Sequence, residues 1–314
     1  MLQLPPLLHR QAEDPGHRWP SGPLPPQVRH EVRLQPVLAR VDSLTARARR
    51  AAGCALVAFG LLTAPAAGAD DCLTERIDER ARISQVLDGD TLALQDGRRL
   101  RLIGINTPEL GRDGNPHEPG ALAARDALRR LVFLNRNQLG LRLGREREDR
   151  YGRLLAHAFL ADGRNLTAVM LKQGQGFALT VPPNTWQAEC YHATAARARS
   201  ADRGLWRRPD FRPQPAAALP ISTEGFRFIR AGQVTHVSEG QYNKWINLQG
   251  NVALRIAKTD LDGFRGLDWK ALPGRSIEAS GWIYQRRGQL RLQIRHPLML
   301  TVLPPPDRSG DKPD

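Results

Sequence analysis

Four ionisable side chains in three short segments have the types and spacing that cleavage of a phosphate ester requires. Asp90 ends the run Asp-Gly-Asp, Arg101 and Glu109 flank an apolar stretch, and Arg153 closes the run Asp-Arg-Tyr-Gly-Arg. One carboxylate can bind a metal ion and another can accept a proton from water, while arginines offset charge on phosphate. The set therefore predicts a hydrolytic site for phosphodiesters.

A β-hairpin is expected to bring Asp90 and Arg101 together. Asp96-Gly97 lies between two short strands, and Asp-Gly is favoured in two-residue hairpin turns. Such a turn pairs Leu92 with Arg101, and the same register places Asp90 opposite Ile103. Because side chains alternate along a strand, these residues share one face, with the backbones of Asp90 and Arg101 about 7–8 Å apart.

A proline limits the strand that follows this hairpin. Pro108 has no N–H for a sheet, so the strand is expected to end near Asn106 and to leave Glu109 in a loop. Reactive groups are common on loops that a rigid scaffold positions. The alternative is a surface ion pair on a small barrel, with Glu109 as an ordinary loop charge.

The three segments, in this order and at this spacing, resemble the staphylococcal nuclease (thermonuclease) family over residues 80–207. The resemblance implies an OB-fold-like barrel of five strands, endonucleolytic hydrolysis of DNA and RNA, and Ca²⁺ as the cofactor. It also implies individual roles: Asp90 and the Thr107 carbonyl as calcium ligands, Arg101 and Arg153 as phosphate-binding residues, Glu109 as the general base, and Tyr151 as a neighbour of the nucleotide.

Two positions depart from the family pattern. Asn106 stands where the family has its second calcium-binding aspartate. Its amide oxygen can still bind Ca²⁺ but brings no charge, so weaker calcium binding is expected. Residues 177–184 lack the tyrosine that stacks on the nucleotide base in a member of the family, so base preference does not carry over.

Composition indicates a basic chain with a sizeable core. The 314 residues include 46 Lys and Arg against 32 Asp and Glu, which gives a net charge of +14. The length allows two domains, and 41% apolar residues are enough for a core. The basic excess favours a polyanionic partner, DNA or RNA. An arginine bias with a solvated surface is the alternative.

Residues 46–69 have the pattern of a secretory signal peptide. Arginines precede an apolar run of 12 residues, and an Ala-Gly-Ala cleavage site precedes Asp70. The run is too short for a membrane span. The pattern predicts a periplasmic or secreted protein. Residues 1–45 are interpreted as a misassigned start, with Val41 as the candidate first residue, or as a long disordered leader.

Removal of residues 1–69 takes away eight arginines and four acids and leaves a charge of +10. It also leaves two cysteines, Cys72 and Cys190. Two cysteines in an exported protein predict one disulfide, with two unrelated thiols as the alternative.

The segment pattern predicts a mainly β chain with helices (α+β) that contains two β domains. Helical patterns begin near Glu118, Leu166 and Thr185, among strands that suit the barrel. About five strand patterns in the last part predict a second small β-barrel-like domain, with an OB-fold as the candidate. The predicted segments are a nuclease-like domain at 70–208, a linker at 209–224, the small β domain at 225–303 and a disordered tail at 304–314.

The last strand pattern combines positive charge with nearby aromatic residues. From Gln289 to Arg295 apolar and polar residues alternate, which places Arg291 and Arg295 on one face. Trp245 and Trp282 lie on neighbouring strand patterns. Such a surface suits single-stranded nucleic acid, so both arginines are predicted to bind substrate. The alternative is a solvated strand face with the tryptophans in the core.

These observations favour an exported, metal-dependent nuclease that hydrolyses phosphodiester bonds of DNA or RNA. The alternative is a catalytically impaired nucleic-acid-binding envelope protein, which Asn106 favours. A periplasmic interaction protein that does not bind nucleic acid is a third interpretation. The joint presence of Asp90, Arg101, Glu109 and Arg153 argues for the enzyme.

Overall fold

The computed structural model describes residues 72–111, 114–231 and 233–304. The predicted leader at 1–45, the signal peptide at 46–69 and the tail beyond residue 304 lie outside them. No helix within the described ranges is long and apolar enough to cross a membrane.

The first part of the described chain is built on a closed barrel. Its elements are β1 Glu79–Val86, β2 Thr91–Leu94, β3 Arg99–Leu102, β4 Ile105–Asn106, α1 Ala121–Leu134, β5 Gln138–Glu148, β6 Leu154–Phe159, α2 Leu166–Lys172, β7 Phe177–Ala178 and α3 Ala188–Ser200. The barrel has the order β1-β2-β3-β6-β5, and β4 pairs with β7 outside it. The predicted five-stranded barrel with added helices is confirmed.

The β2–β3 hairpin has a register one residue away from the predicted one. Leu92 pairs with Leu100 rather than with Arg101. The connection is a three-residue loop that ends in Gly97 at a φ of +89°, instead of a two-residue turn. A one-residue shift reverses the face that each side chain takes, so Leu92 packs in the barrel and Arg101 points away from it. The predicted common face of Asp90, Leu92 and Arg101 is therefore wrong.

Helix α1 lies on the barrel through small residues. Its buried positions are Ala121, Ala124, Ala127, Leu128 and Val132. Leu122, in the first turn of the helix, is 44% exposed. The short side chain of Ala124 lets the helix lie close to Gly89, in the bend before β2.

A disulfide joins the start of the described chain to α3, between Cys72 and Cys190. This confirms the pairing expected from the cysteine count. Beside it, the buried Tyr191 hydroxyl lies 2.8 Å from His157 Nδ1 and accepts a hydrogen bond from Asn165. Burial lowers the pKa of His157 to about 3, so this imidazole is neutral in the folded protein.

The second part of the described chain is one sheet. Its strands are β8 Gln214–Pro215, β9 Gly225–Ala231, β10 Val234–Glu239, β11 Asn243–Leu248, β12 Val252–Ala257, β13 Ile277–Arg286, β14 Gln289–Gln293 and β15 Leu300–Val302. The order is β10-β11-β12-β14-β13-β9-β8, and β15 pairs with β13. Only two residues separate β9 from β10, and Val234 at the start of β10 pairs with Leu248 of β11 on one side while its N–H donates to Arg275 O at 2.9 Å, just before β13, on the other. The run from β9 into β10 therefore borders both β13 and β11, and the pairing closes on itself in agreement with the predicted small β-barrel-like domain. Strand β8 is a two-residue addition that pairs with β9.

An aromatic cluster joins the two parts. Phe177 of β7 lies with its ring centroid 5.2 Å from Trp206, 4.9 Å from Phe211 and 5.9 Å from Phe226. Residues 209–224, predicted as a linker, contain two short 3-10 turns and β8, and they bury Phe211. Aromatic burial of this kind holds the segment against both parts of the chain.

Candidate active site

A bend between β1 and β2 carries the Asp-Gly-Asp segment. The Asp88 carboxylate accepts a hydrogen bond from Asp90 N at 2.9 Å. A Cβ on Gly89 would lie 2.7 Å from Thr107 Oγ1 and 2.8 Å from Ala124 Cβ. Glycine at this position therefore allows the bend to pack between the loop after β4 and helix α1.

The Asp90 carboxylate is buried, and both of its oxygens are bonded. Oδ2 accepts hydrogen bonds from Thr107 N at 2.9 Å and Thr107 Oγ1 at 3.2 Å, and Arg101 Nη2 lies 3.0 Å from it. Oδ1 accepts the Thr91 hydroxyl at 3.1 Å. The bend thus brings Asp90 to Arg101 although the predicted register was wrong.

Main-chain carbonyls orient the Arg101 guanidinium. Nη1 donates to Leu102 O at 2.7 Å and to Ile105 O at 2.8 Å. Nη2 also donates to Asn106 Oδ1 at 3.3 Å. Within the described part of the chain, Nε makes no hydrogen bond. The side chain is only 12% exposed, so it is held in one orientation at the end of β4.

Glu109 lies in the loop after β4, as the proline predicted. Its N–H donates to the Glu118 carboxylate at 2.8 Å, and Glu118 N donates back to Glu109 O at 2.9 Å. The residue is exposed, yet surrounding protein atoms displace water from its carboxyl. This burial, together with repulsion from Asp90 and Asp88, raises the pKa of Glu109 to about 7. Burial and the charge of Asp90 likewise raise the pKa of Asp88 to about 6.

Arg153 is held by the acid that opens its own segment. Asp149 Oδ2 accepts from Arg153 Nε and lies 2.7 Å from Nη2, while Oδ1 caps the N–H groups of Tyr151 and Arg153. Burial opposes ionisation of this carboxyl, but these hydrogen bonds outweigh it and lower the pKa of Asp149. Tyr151 is 59% exposed, with the guanidinium groups of Arg150 and Arg153 at 4.8 and 5.4 Å from its ring centre.

The parallel pairing of β3 and β6 relates the two predicted phosphate-binding arginines. Arg101 lies opposite Leu155, and Arg153 comes two residues before Leu155 on the neighbouring strand. Since Leu154 packs in the barrel core, Arg101 and Arg153 both point away from it. Strand spacing puts their Cα atoms about 8 Å apart.

The two arginines of the second sheet have other partners. Arg295 forms an ion pair with the buried Asp260 at 2.9 Å, which offsets its charge. The Arg291 guanidinium lies 4.8 Å from the centre of the Trp245 ring, and its Nε donates to Gln289 at 3.3 Å. None of the contacts described for either arginine reaches the Asp90 cluster.

The oxygen atoms of the Asp90 cluster fit a hard cation. Asp90 offers a carboxylate, Asn106 an amide oxygen and Thr107 a main-chain carbonyl, and oxygen is the ligand that Ca²⁺ and Mg²⁺ take. Burial, and then repulsion from neighbouring carboxylates, raise the pKa values of Asp88 and Glu109, and a bound cation would favour the ionised form of both groups. In the described ranges no three acidic, histidine or cysteine side chains cluster as a metal site, so neutral oxygens must complete the ligand set.

Three residues of this site had no predicted role. Asp88 and Asp149 were part of the motifs. Asp88 lies two residues before Asp90 and Asp149 lies four residues before Arg153, and this spacing could have identified both as positioning residues. Glu118 had no such signal, because its hydrogen bonds to Glu109 cross a loop whose path the sequence does not determine.

Comparison with known proteins agrees with this arrangement. The family model described as staphylococcal nuclease homologue matches residues 99–208. The chain is 31% identical to the thermonuclease of Staphylococcus intermedius over 129 residues, which cover 40% of this chain and 75% of that protein. It is 28% identical to the thermonuclease of Staphylococcus hyicus over 138 residues, covering 43% and 79%. It is also 28% identical to endonuclease YncB of Bacillus subtilis (strain 168) over 128 residues, covering 40% and 60%. The chain therefore belongs to the staphylococcal nuclease family.

Proposed function

We propose that this chain is an exported, metal-dependent endonuclease that hydrolyses phosphodiester bonds of DNA or RNA. Membership of the family makes nucleic acid the substrate class and phosphodiester hydrolysis the reaction. The observation that best supports the site is the contact set around Asp90. There Arg101 and Thr107 lie within 3.0 Å of one carboxylate oxygen, and Asn106 binds the same guanidinium.

Glu109 is the proposed general base. A base acts best when its pKa lies near the working pH, because it is then both ionised and able to hold a proton. The pKa of about 7 for Glu109 meets this condition. Its carboxylate takes a proton from the attacking water while the water oxygen bonds to phosphorus and one ester oxygen leaves.

Arg101 and Arg153 are the proposed phosphate-binding residues. Their guanidinium groups are fixed by carbonyls and by Asp149, so little reorganisation is needed when charge develops on the phosphate oxygens. Arg101 Nε and Arg153 Nη1 are the donors that make no hydrogen bond within the described residues. Tyr151 lies beside Arg153 and is open to a nucleotide.

Asp90, Asn106 and the Thr107 carbonyl would hold the metal ion, for which Ca²⁺ is our proposal. When bound, such an ion would offset phosphate charge and orient the water. A single ligating carboxylate predicts modest calcium affinity.

Cleavage of plasmid DNA and of RNA by the purified protein tests this function, with Ca²⁺, Mg²⁺ and a chelator compared. We expect nicked and linear plasmid with the metal and intact plasmid with the chelator. Binding without cleavage under every metal condition would instead favour a catalytically impaired nucleic-acid-binding protein. The neutral Asn106 is the feature that supports this alternative.

Export is proposed from residues 46–69 and is supported by the Cys72–Cys190 disulfide, since disulfides form in oxidising compartments. Intact-mass measurement of the protein from the periplasmic and medium fractions should give a chain that begins at Asp70. A chain found in the cytosol with residues 46–69 retained would refute export and leave the nuclease proposal intact.

A further inference from the structure

A groove of about 770 Å³ lies between α1 and β1, outside the residues of the proposed catalytic site. One wall is the outer face of α1 and the other is the end of β1. Side chains that line it include Ser84, Gln85, Arg125, Arg129, Arg130 and Phe133.

The groove is positively charged. Arg125 pairs with Asp126 at 3.0 Å on the same helix. Arg129 and Arg130 are exposed, and neither forms an ion pair with any of the described residues. Three arginines thus stand against one aspartate. An anionic ligand would match this charge, and a phosphate chain would find several donors along one wall.

The same wall ends in an aromatic ring. Phe133 is 71% exposed, and Leu134 beside it is 72% exposed. Arg125, Arg129 and Phe133 follow one another at intervals of four residues, so they form one stripe along the helix with neighbours about 6 Å apart. A stripe of cations that leads to an open ring suits a single strand, because phosphates can meet the cations and a base can stack on the ring.

One end of the groove adjoins the proposed catalytic site. Strand β1 ends at Val86, two residues before Asp88, and Val86 lines the groove. On the helix side, Ala124 precedes Arg125 and packs against Gly89, the centre of the bend that carries Asp90. The groove therefore begins beside the bend that carries Asp90, and we expect a strand that leaves the Asp90 cluster along this side to reach it.

We propose that this groove is a second binding site for single-stranded nucleic acid, which holds the substrate strand beyond the scissile phosphate. Arg129 and Arg130 bind backbone phosphates, Arg125 adds a contact nearer the catalytic site, and Phe133 stacks on a base. The proposal rests on the nuclease function for its substrate class. The stripe from Arg125 to Phe133 spans about 12 Å, which gives room for a few nucleotides.

The test compares Arg129→Gln/Arg130→Gln with Arg129→Lys/Arg130→Lys. Glutamine and lysine have helix propensities close to that of arginine, so both variants should keep α1 folded, and circular dichroism checks this. Binding of a fluorescent 16-nucleotide DNA is measured in chelator at several salt concentrations, with the DNA checked for integrity on a gel. Cleavage of a trinucleotide with metal is measured in parallel, since it is too short to reach the groove.

We expect the glutamine variant to raise the Kd by on the order of 10-fold at 0.1 M salt and to lower the salt slope by about 1.4, or about 0.7 per lost phosphate contact. The lysine variant should stay within about 2-fold of wild type because it keeps the charge, and Phe133→Ala should weaken binding without changing the salt slope. Trinucleotide cleavage should be equal in all variants.

An unchanged Kd and salt slope in the glutamine variant would overturn the proposal, as would an equal loss in the lysine variant. Vesicles of phosphatidylglycerol test whether the groove binds an anionic membrane instead. If the glutamine variant loses vesicle binding but binds DNA normally, the groove binds membrane and the proposal is overturned. DNA binding is measured under conditions in which no cleavage occurs, so the two proposals are tested separately. Absence of cleavage under every metal condition would refute the nuclease function, whereas the Kd and salt slope of the variants would still test the groove.

Discussion

Replacement of Glu109 by Gln should make the protein more stable and far less active. Burial, and then repulsion from Asp90 and Asp88, raise the pKa of this carboxyl from about 4.5 to about 7. The folded protein therefore holds this proton more tightly than the unfolded chain does. The contribution of this group to the stability of the wild-type protein is therefore fully present below pH 4.5. It is lost as the pH rises through about 7, above which the side chain is ionised in both the folded and the unfolded state.

The size of the gain follows from the two pKa values. At full strength the difference corresponds to about 3 kcal/mol. Glu109 is exposed, so solvent screening reduces the expected gain to about 1 kcal/mol in metal-free protein at pH 8. Glutamine keeps the shape of the side chain and removes the charge. Loss of the general base should lower cleavage by roughly 10²-fold or more.

The assay pairs urea unfolding in chelator at pH 4.5 and pH 8 with plasmid cleavage in metal. The matched control is Glu75→Gln, which neutralises an exposed acid on the segment before β1 and should change neither quantity. If Glu109→Gln cuts at the wild-type rate, Glu109 is not the base. If it loses stability at pH 8 as well as activity, the residue has a structural role and the electrostatic reasoning is wrong.

Four further predictions concern the proposed metal site, the disulfide and the second sheet. Asn106→Asp should tighten calcium binding in a calorimetric titration because a charged ligand replaces a neutral one, and an unchanged Kd would place the ion elsewhere. Cys190→Ser should lower the free energy of unfolding by about 3–5 kcal/mol, since the lost disulfide closes a loop of 118 residues; a loss under 1 kcal/mol in urea would contradict this. Arg295→Gln should destabilise the second sheet by about 3 kcal/mol because it leaves a buried carboxylate unpaired. Arg291→Gln should leave stability unchanged and, if the second sheet binds single strands, lower the salt slope of binding by about 0.7; an unchanged slope leaves that arginine without a role in binding.

The sequence was enough to predict those structural features that depend on a few residues close together in the chain or on residue type alone. Helix α2 runs from Leu166 to Lys172 as its pattern predicted, because Asn165 caps it and glycine follows it. The strand after β3 ends at Asn106 because Pro108 cannot continue a ladder. The disulfide followed from a count of two cysteines. Each of these depends on a residue type and its near neighbours, which the sequence states directly.

The motifs also identified residues that the structure brings together, although the hairpin register from which their contact was predicted was wrong. The Asp96-Gly97 pair did not reveal whether two or three residues form the loop, since Gly97 suits either at positive φ. That one residue decides which face Arg101 takes. The contact with Asp90 survives because the bend at Gly89 packs on Thr107 and α1, a close approach between segments far apart in the sequence.

The sequence by itself determined which chemical groups the protein carries, which short segments fold locally and which family it belongs to. Only the tertiary structure decided the raised pKa of Glu109, the pairing of Arg295 with Asp260, the strand order of the second sheet and the groove beside α1. The physical reason is distance. Charge interactions, desolvation and strand pairing depend on which residues are close in space. Many of these residues are far apart in the sequence, so the sequence alone does not show that they meet.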